Sequence, residues 1–125
     1  QVKRIKDEFA IMTFNGRERS SLKLKDWIIE AQDRGIGEIM ITSIDKEGTM
    51  NGFDLNLLEY IIPFLKVPII CSGGISSSEH ANECFKNGAD AVAIAKAFHF
   101  SYINPITLRN ELSKMGITLR NIKNL

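Results

Sequence analysis

Residues 38–49 read EIMITSIDKEGT, an apolar run that ends in a polar loop containing one glycine. Two further apolar runs each lead into a different loop, since VPIIC at 67–71 leads into SGG at 72–74 and AVAIA at 91–95 leads into KAFH at 96–99. Runs that are apolar throughout, each followed by a helical segment, are typical of parallel strands covered by helices. The chain is therefore predicted to be an α/β protein whose loops meet at one edge of the sheet, as in a (β/α) barrel.

Apolar residues at helical spacing fill the intervals between these runs. Residues 24–35 predict a first helix, and residues 58–65 predict a second with a kink or an early end at Pro63. The serines at 76–78 offer N-caps to a third helix, and a last helix is predicted through residues 108–115. Each helix follows a strand, as βαβ units require.

The beginning of the chain carries a different pattern. Residues 9–14 alternate and run into Asn15-Gly16, a strong two-residue hairpin signal. With a short strand before the hairpin, the predicted order is β, hairpin, α, β, α, β, α, β, α, with four parallel strands. Trp27 falls on the first helix and is expected in the core.

The length of 125 residues bounds the architecture. It suits one compact domain over residues 1–125, without an internal boundary, yet a closed eight-unit barrel takes roughly 250 residues. We therefore expect half of a barrel, cut from a longer chain, because the sequence also begins without methionine. The net charge of +1, from 16 basic and 15 acidic residues, favours neither nucleic acid nor an anionic membrane as a partner.

Cysteine usage and hydropathy favour a cytoplasmic protein. Cys71 and Cys84 fall in an apolar strand and on a helix, where single reduced thiols are common. The apolar runs are far shorter than the roughly 20 residues of a membrane span. His, Cys and carboxylate residues show no metal-ligand spacing, so neither a metal nor a cofactor is expected.

The three loops after the strands predict an anion site. Gly48, Gly74 and the backbone amides of Ala95 and Lys96 can converge on one phosphate, since glycine lets the backbone approach an anion closely. The alternative for Gly73-Gly74 is a tight strand-to-helix turn with no ligand. The recurrence of such loops after successive strands favours the anion site.

Several ionisable residues are candidates for a role in chemistry. Asp45 and Glu47 are two residues apart, so in an extended segment they share a face and one can act as a general acid or base; the alternative is a solvated loop. Glu38 starts a strand at the opposite end and is either an exposed charge or part of a salt-bridge layer. His99 is expected to be packed and hydrogen-bonded, and His80 to be inert on the surface.

The ordered motifs of the chain resemble one family. They are Asp26-Trp27, Gly35-Ile36-Gly37-Glu38-Ile39, residues 42–54, Val67-Pro68-Ile69-Ile70, Ser72-Gly73-Gly74, Gly88-Ala89-Asp90 and Phe98-His99-Phe100. Together they resemble strands five to eight of the HisF family, the cyclase subunits of imidazole glycerol phosphate synthase, which are (β/α)8 barrels. The resemblance covers nearly the whole chain.

This resemblance implies a reaction and its partners. A HisH-type glutamine amidotransferase supplies ammonia from the lower face of the barrel. The ammonia reacts with a phosphorylated ribulosyl nucleotide to give imidazole glycerol phosphate and an aminoimidazole carboxamide ribotide in histidine biosynthesis. By the matching motifs, Glu38 belongs to the ammonia gate and Thr42 and Glu47 line the pocket, while the phosphate is held by Gly48, Ser72, Gly73, Gly74, Ala95 and Lys96.

The chain departs from the family pattern at Gln1, Glu47 and Lys96, and residues 72–76 also lack the Ala-Gly that usually follows the glycine pair. Gln1 stands where the family has a catalytic aspartate, and an amide cannot transfer protons as a carboxylate does. Glu47 replaces an aspartate, and Lys96 replaces a small residue or serine. The other catalytic aspartate belongs to the N-terminal half-barrel, so this chain alone is not expected to cyclise the substrate.

Two other functions remain open at this point. A HisF-like barrel with an altered cyclase site can serve as an ammonia conduit for a sugar amidotransferase of surface-polysaccharide biosynthesis. A half-barrel can also be a scaffold that assembles only with itself or with its missing half. Since a four-stranded half of a parallel barrel has two unpaired edges and an apolar inner face, the isolated chain is expected to form homo-oligomers.

Overall fold

Two small sheets organise the chain in the computed structural model, which describes residues 1–120. An antiparallel sheet has the order β1-β2-β3, and a parallel sheet has the order β4-β5-β6. The strands are β1 (Val2–Ile5), β2 (Glu8–Thr13), β3 (Glu18–Lys23), β4 (Ile39–Thr42), β5 (Ile69–Ser72) and β6 (Ala91–Ala93). The predicted α/β class with a parallel sheet is confirmed.

Within residues 1–120, five helices surround or follow these strands. Their ranges are α1 (Leu24–Asp33), α2 (Leu55–Ile61), α3 (Ser78–Lys86), α4 (Lys96–His99) and α5 (Pro105–Lys114). The early end predicted at Pro63 is confirmed, because α2 stops at Ile61 and a single 3-10 turn covers Ile62–Phe64. Ser77 is the N-cap of α3, with its hydroxyl accepting from the His80 amide.

The register of the parallel sheet aligns the ends of its strands. Thr42 pairs with Ser72, and Ser72 pairs with Ala93. Each of these residues is the last of its strand. The loops that follow β4, β5 and β6 therefore leave from the same edge of the sheet, as the sequence predicts.

The first strand does not join the parallel sheet as expected. All four residues of β1 pair antiparallel with β2, from Val2 with Ile11 to Ile5 with Glu8. Backbone pairing on the β4 side is limited to one parallel bridge, between Val2 and Ser43 just after β4, and a 2.8 Å hydrogen bond from Ile44 N to Val2 O. Of the four parallel strands predicted, three form the sheet and β1 adds only this parallel bridge on its second edge.

The core lies between one face of the parallel sheet and the helices. Ile41 and Cys71 are paired across β4 and β5 on this face and are buried against α1, α2 and α3, which contribute Ile28, Leu58, Ile61, Ala81 and Cys84. Side chains alternate along a strand, so Met40 and Ile70 point to the other face. Met40 is 54% exposed there. This second face, defined by Met40, Ile70 and Ala91, is called the open face below.

Two aromatic side chains predicted to be packed are exposed, whereas both cysteines are buried. Trp27 is 36% exposed rather than in the core, because the buried stripe of α1 passes through Ile28 and leaves its neighbour at the margin. His99 is exposed, with its ring 4.8 Å from that of Phe100, so its prediction as a packed residue is wrong. Cys71 and Cys84 are free and buried, as predicted. None of the helices described is long and apolar enough to cross a membrane.

Candidate functional site

A cavity of about 110 Å³ opens at the edge where the parallel strands end. The loops after β4, β5 and β6 all contribute to its wall. Its lining consists of Glu47, Gly48, Met50, Ser72, Gly73, Gly74, Ile75, Ala93, Ile94, Ala95 and Lys96. The predicted convergence of Gly48, Gly74, Ala95 and Lys96 is therefore present in the structure.

The glycine pair of the β5–α3 loop is required by the close approach of the neighbouring loop. Gly73 has a φ of +108°, and a Cβ on it would lie 2.7 Å from Ser43 O. Gly74 has a φ of +81°, and a Cβ there would overlap Gly52 O. Both the tight turn and the cavity wall thus depend on the same two residues, because only glycine fits this backbone without strain.

Lys96 spans the mouth of the cavity. Its Nζ donates a 2.6 Å hydrogen bond to Gly48 O, which joins the loop after β6 to the loop after β4. The ammonium is therefore held between the two loops, and it retains two more N–H donors for a ligand. Glu47 lines the same cavity, so the site holds one cationic and one anionic side chain.

Asp45 does not share the cavity with Glu47. The segment after β4 forms successive turns, with Glu47 N bonded to Ser43 O at 3.0 Å and Thr49 N to Lys46 O at 3.0 Å. In turns, residues two apart do not share a face, so the premise of an extended segment is wrong. The Asp45 carboxylate instead accepts a 2.6 Å hydrogen bond from the backbone amide of Arg4 in β1.

Thr42 and Gln1 lie beside the cavity rather than in its wall. Thr42 ends β4, is half-buried and pairs with Ser72, which does line the cavity. Gln1 precedes Val2, whose bridge to Ser43 places Gln1 next to Thr42 in register. Gln1 is exposed, and its backbone carbonyl accepts a 2.9 Å hydrogen bond from Met12 N.

Glu38 lies at the opposite end of the parallel sheet. It precedes Ile39, the first residue of β4, and it is exposed. The ion pairs found within residues 1–120 join Arg19 to Glu8 and Arg34 to Glu30. In this part of the chain Glu38 is thus an exposed charge, the first of the two alternatives.

The thiol next to the cavity is not suited to nucleophilic chemistry. The Cys84 side chain and burial together raise the pKa of Cys71 above the ordinary thiol value. Cys71 also points away from the face that carries Ser72, since successive side chains alternate. It is therefore a protonated core residue, as a buried thiol in apolar surroundings should be.

A connection between two of the cavity loops runs through His80, a residue to which the sequence assigned no role. His80, predicted to be an inert surface residue, is half-buried beside Gly52, and its Nδ1 lies 3.3 Å from Ser76 Oγ. Ser76 Oγ donates a 2.9 Å hydrogen bond to the carbonyl of Met50, which lines the cavity. The spacing of Ser76 and His80, four residues apart at a helix start, was the available signal.

Residues 2–104 match the family model described as histidine biosynthesis protein. The chain belongs to this family. The match confirms the resemblance found in the motifs, and it includes every residue of the cavity wall. Gln1 lies one position outside the matched range.

Curated relatives of this chain carry the name imidazole glycerol phosphate synthase subunit HisF. The subunit of Thermotoga sp. (strain RQ2) is 41% identical over 118 residues, which are 94% of this chain and 47% of the relative. That of Dictyoglomus turgidum (strain DSM 6724 / Z-1310) is 37% identical over 118 residues, with the same two shares of 94% and 47%. The chain thus spans about half the length of the curated relatives that it matches.

Proposed function

We propose that the chain is the C-terminal half, strands five to eight, of a HisF-type (β/α)8 barrel. Such a barrel is a lyase-type cyclase that uses ammonia from a glutamine amidotransferase to form imidazole glycerol phosphate and the aminoimidazole carboxamide ribotide. The family match, the parallel sheet and the 47% share of the relatives support this proposal. The reduced Cys71 and Cys84 agree with a cytoplasmic enzyme of histidine biosynthesis.

The cavity shared by three loops is the observation that carries the proposal. Its volume of about 110 Å³ suits one phosphate group rather than a whole nucleotide. Backbone amides of Gly74 and Ala95 and the ammonium of Lys96 would hold one phosphate of the ribulosyl nucleotide, with the rest of the substrate lying over the sheet. The Lys96 ammonium would turn from Gly48 O to the phosphate oxygens.

The open face offers a route for ammonia. Glu38 stands at one end of β4 and Thr42 at the other, and four residues of strand span roughly 13 Å. Met40 and Ile70 lie between these ends, on the face that a complete barrel would enclose. Ammonia released by a HisH-type partner at the Glu38 end would pass along this apolar face to the substrate.

A second function, the ammonia conduit without cyclase activity, is favoured by Gln1. This residue lies next to Thr42, where the family resemblance expects a proton-transferring aspartate, and it carries an amide. Lys96 also lines the cavity, where the family resemblance expects a small residue or serine. A barrel that kept the open face and lost the carboxylate would still deliver ammonia to another acceptor.

Titration of the chain with inorganic phosphate, followed by amide NMR, tests the anion site. The amide signals of Gly48, Gly74 and Ala95 should shift together, and Lys96→Ser should weaken binding about tenfold, the usual effect of losing one charge-assisted hydrogen bond. Lys86→Ser, which removes an exposed charge from the end of α3, is the matched control. Shifts confined to other residues would refute the anion site.

A further inference from the structure

A serine and a histidine at the start of α3 join two walls of the cavity. Ser76 Oγ donates its single proton to Met50 O at 2.9 Å, so toward His80 the same oxygen acts as an acceptor. At 3.3 Å, His80 Nδ1 must then carry the proton. The neutral ring with its proton on Nδ1 and the charged ring both have an N–H at this atom. Either form of His80 can therefore make the contact with Ser76.

The His80 ring also supports the neighbouring loop by packing. A Cβ on Gly52 would lie 3.2 Å from His80 Cδ2, so the ring rests directly on the backbone of this buried glycine. Gly52 N in turn donates a 2.9 Å hydrogen bond to Gly74 O. One backbone hydrogen bond, one hydroxyl hydrogen bond and one ring contact therefore connect the β4–α2 and β5–α3 loops.

The backbone of Met50 makes this connection necessary. Its φ of +62° is a left-handed conformation, which costs a residue with a side chain roughly 1–2 kcal/mol. The hydrogen bond accepted by its carbonyl from Ser76 offsets part of that cost. Met50 and Gly74 both line the cavity, so the position of the wall depends on the contacts of Ser76 and His80.

We infer that Ser76 and His80 are positioning residues of the anion site. They hold the β4–α2 loop against the β5–α3 loop and thereby fix the separation of Gly48 and Gly74, without touching the ligand themselves. The inference rests on the proposed phosphate function of the cavity. It makes no use of His80 as an acid or base.

Two substitutions remove the contacts in different ways, and a third restores one of them. Ser76→Ala removes the hydroxyl, His80→Phe keeps an aromatic ring without the N–H, and His80→Asn places an amide N–H close to the original Nδ1. The first two should speed hydrogen exchange of the Gly52 amide at least tenfold and weaken the binding of inorganic phosphate several-fold. His80→Asn should keep most of the phosphate affinity.

Ser78→Ala is the matched control. Ser78 belongs to the same helix start and donates a 2.7 Å hydrogen bond to Glu111 in α5, away from the two loops. Loss of this hydrogen bond should leave the hydrogen exchange rate of the Gly52 amide and the phosphate affinity unchanged, even if the free energy of unfolding falls. NMR of the His80 ring should show the Nδ1–H tautomer in the unmodified chain and its loss in Ser76→Ala.

The outcomes separate this inference from the function on which it rests. If the unmodified chain binds no phosphate, the proposed anion site fails. If it does bind phosphate, while Ser76→Ala and His80→Phe leave Gly52 exchange and affinity unchanged, only the positioning role fails. A His80→Asn variant as weak as His80→Phe would also overturn the role assigned to the N–H donor.

Discussion

Glycines differ in what they do for the cavity. Gly73 combines a φ of +108° with a close approach to Ser43 O, Gly48 has a φ of +73° with open space around it, and Gly37 has neither constraint. These three positions separate the effect of backbone conformation from that of steric contact. The sequence predicts that glycines stand in these loops but not which of them are crowded, because crowding depends on the distance between loops.

Alanine at the three positions should therefore give a graded loss of stability. Gly37→Ala should change the free energy of unfolding by less than about 0.5 kcal/mol, and Gly48→Ala should lower it by about 1 kcal/mol. Gly73→Ala should cost more than about 2 kcal/mol, since contact with Ser43 O adds to the backbone strain. Urea denaturation measures all three, and equal losses at Gly73 and Gly48 would contradict the steric contact.

Gln1 allows the cyclase and the conduit to be distinguished. In a full-length barrel, where an N-terminal half supplies the other aspartate, Gln1→Asp should raise ammonium-dependent cyclisation on the order of a hundredfold if the parent is a cyclase. In a conduit it should leave cyclisation negligible. Gln1→Asn is the control for side-chain length without charge, and rapid cyclisation by the unmodified Gln1 barrel would show that this position needs no carboxylate.

At the scale of elements, the sequence predicts helices and strands better than their partners. The periodicity of residues 24–35 and the proline at position 63 give α1 and the end of α2, because both signals are local. The extent of pairing between β1 and β4 is not a local property, because β4 follows only after β2, β3 and α1. A strand has two edges, so the pairing of β1 with β2 leaves its second edge available, and the sequence does not report how far that edge is used.

The same limit applies to the loops of the site. The convergence of Gly48, Gly74 and Lys96 followed from the order of parallel strands, which fixes where loops leave a sheet. That order does not predict that Asp45 and Glu47 point to different places, because their directions depend on the turns that begin at Ser43. The contact of His80 with Gly52 likewise requires the packing of α3 against the β4–α2 loop, between residues that are 28 positions apart in sequence.

At the scale of the whole molecule, both strand edges of the parallel sheet are largely unpaired in the part of the chain that the structure describes. On the β4 side the pairing is limited to the bridge between Val2 and Ser43, and on the other side β6 ends the sheet. Together with the open face, these edges are an unsatisfied surface. The isolated chain should therefore associate through the open face and β6.

Sedimentation at micromolar concentration should show dimers or larger species of the isolated chain. Met40→Lys, which puts a charge on the open face, should shift the distribution toward monomer. Met115→Lys is the control, because Met115 is also exposed, at 39%, but lies at the end of α5. A monomer in the unmodified chain, or an equal response to both substitutions, would contradict association through this face.

The hydrogen bond from the backbone amide of Arg4 to Asp45 has a consequence for how the sequence can vary. The donor is the main chain, so every residue type except proline can supply it at position 4. The acceptor is a side chain, so position 45 tolerates few replacements. Relatives should therefore carry many different residue types at position 4 and few at position 45, although the two residues make the same contact.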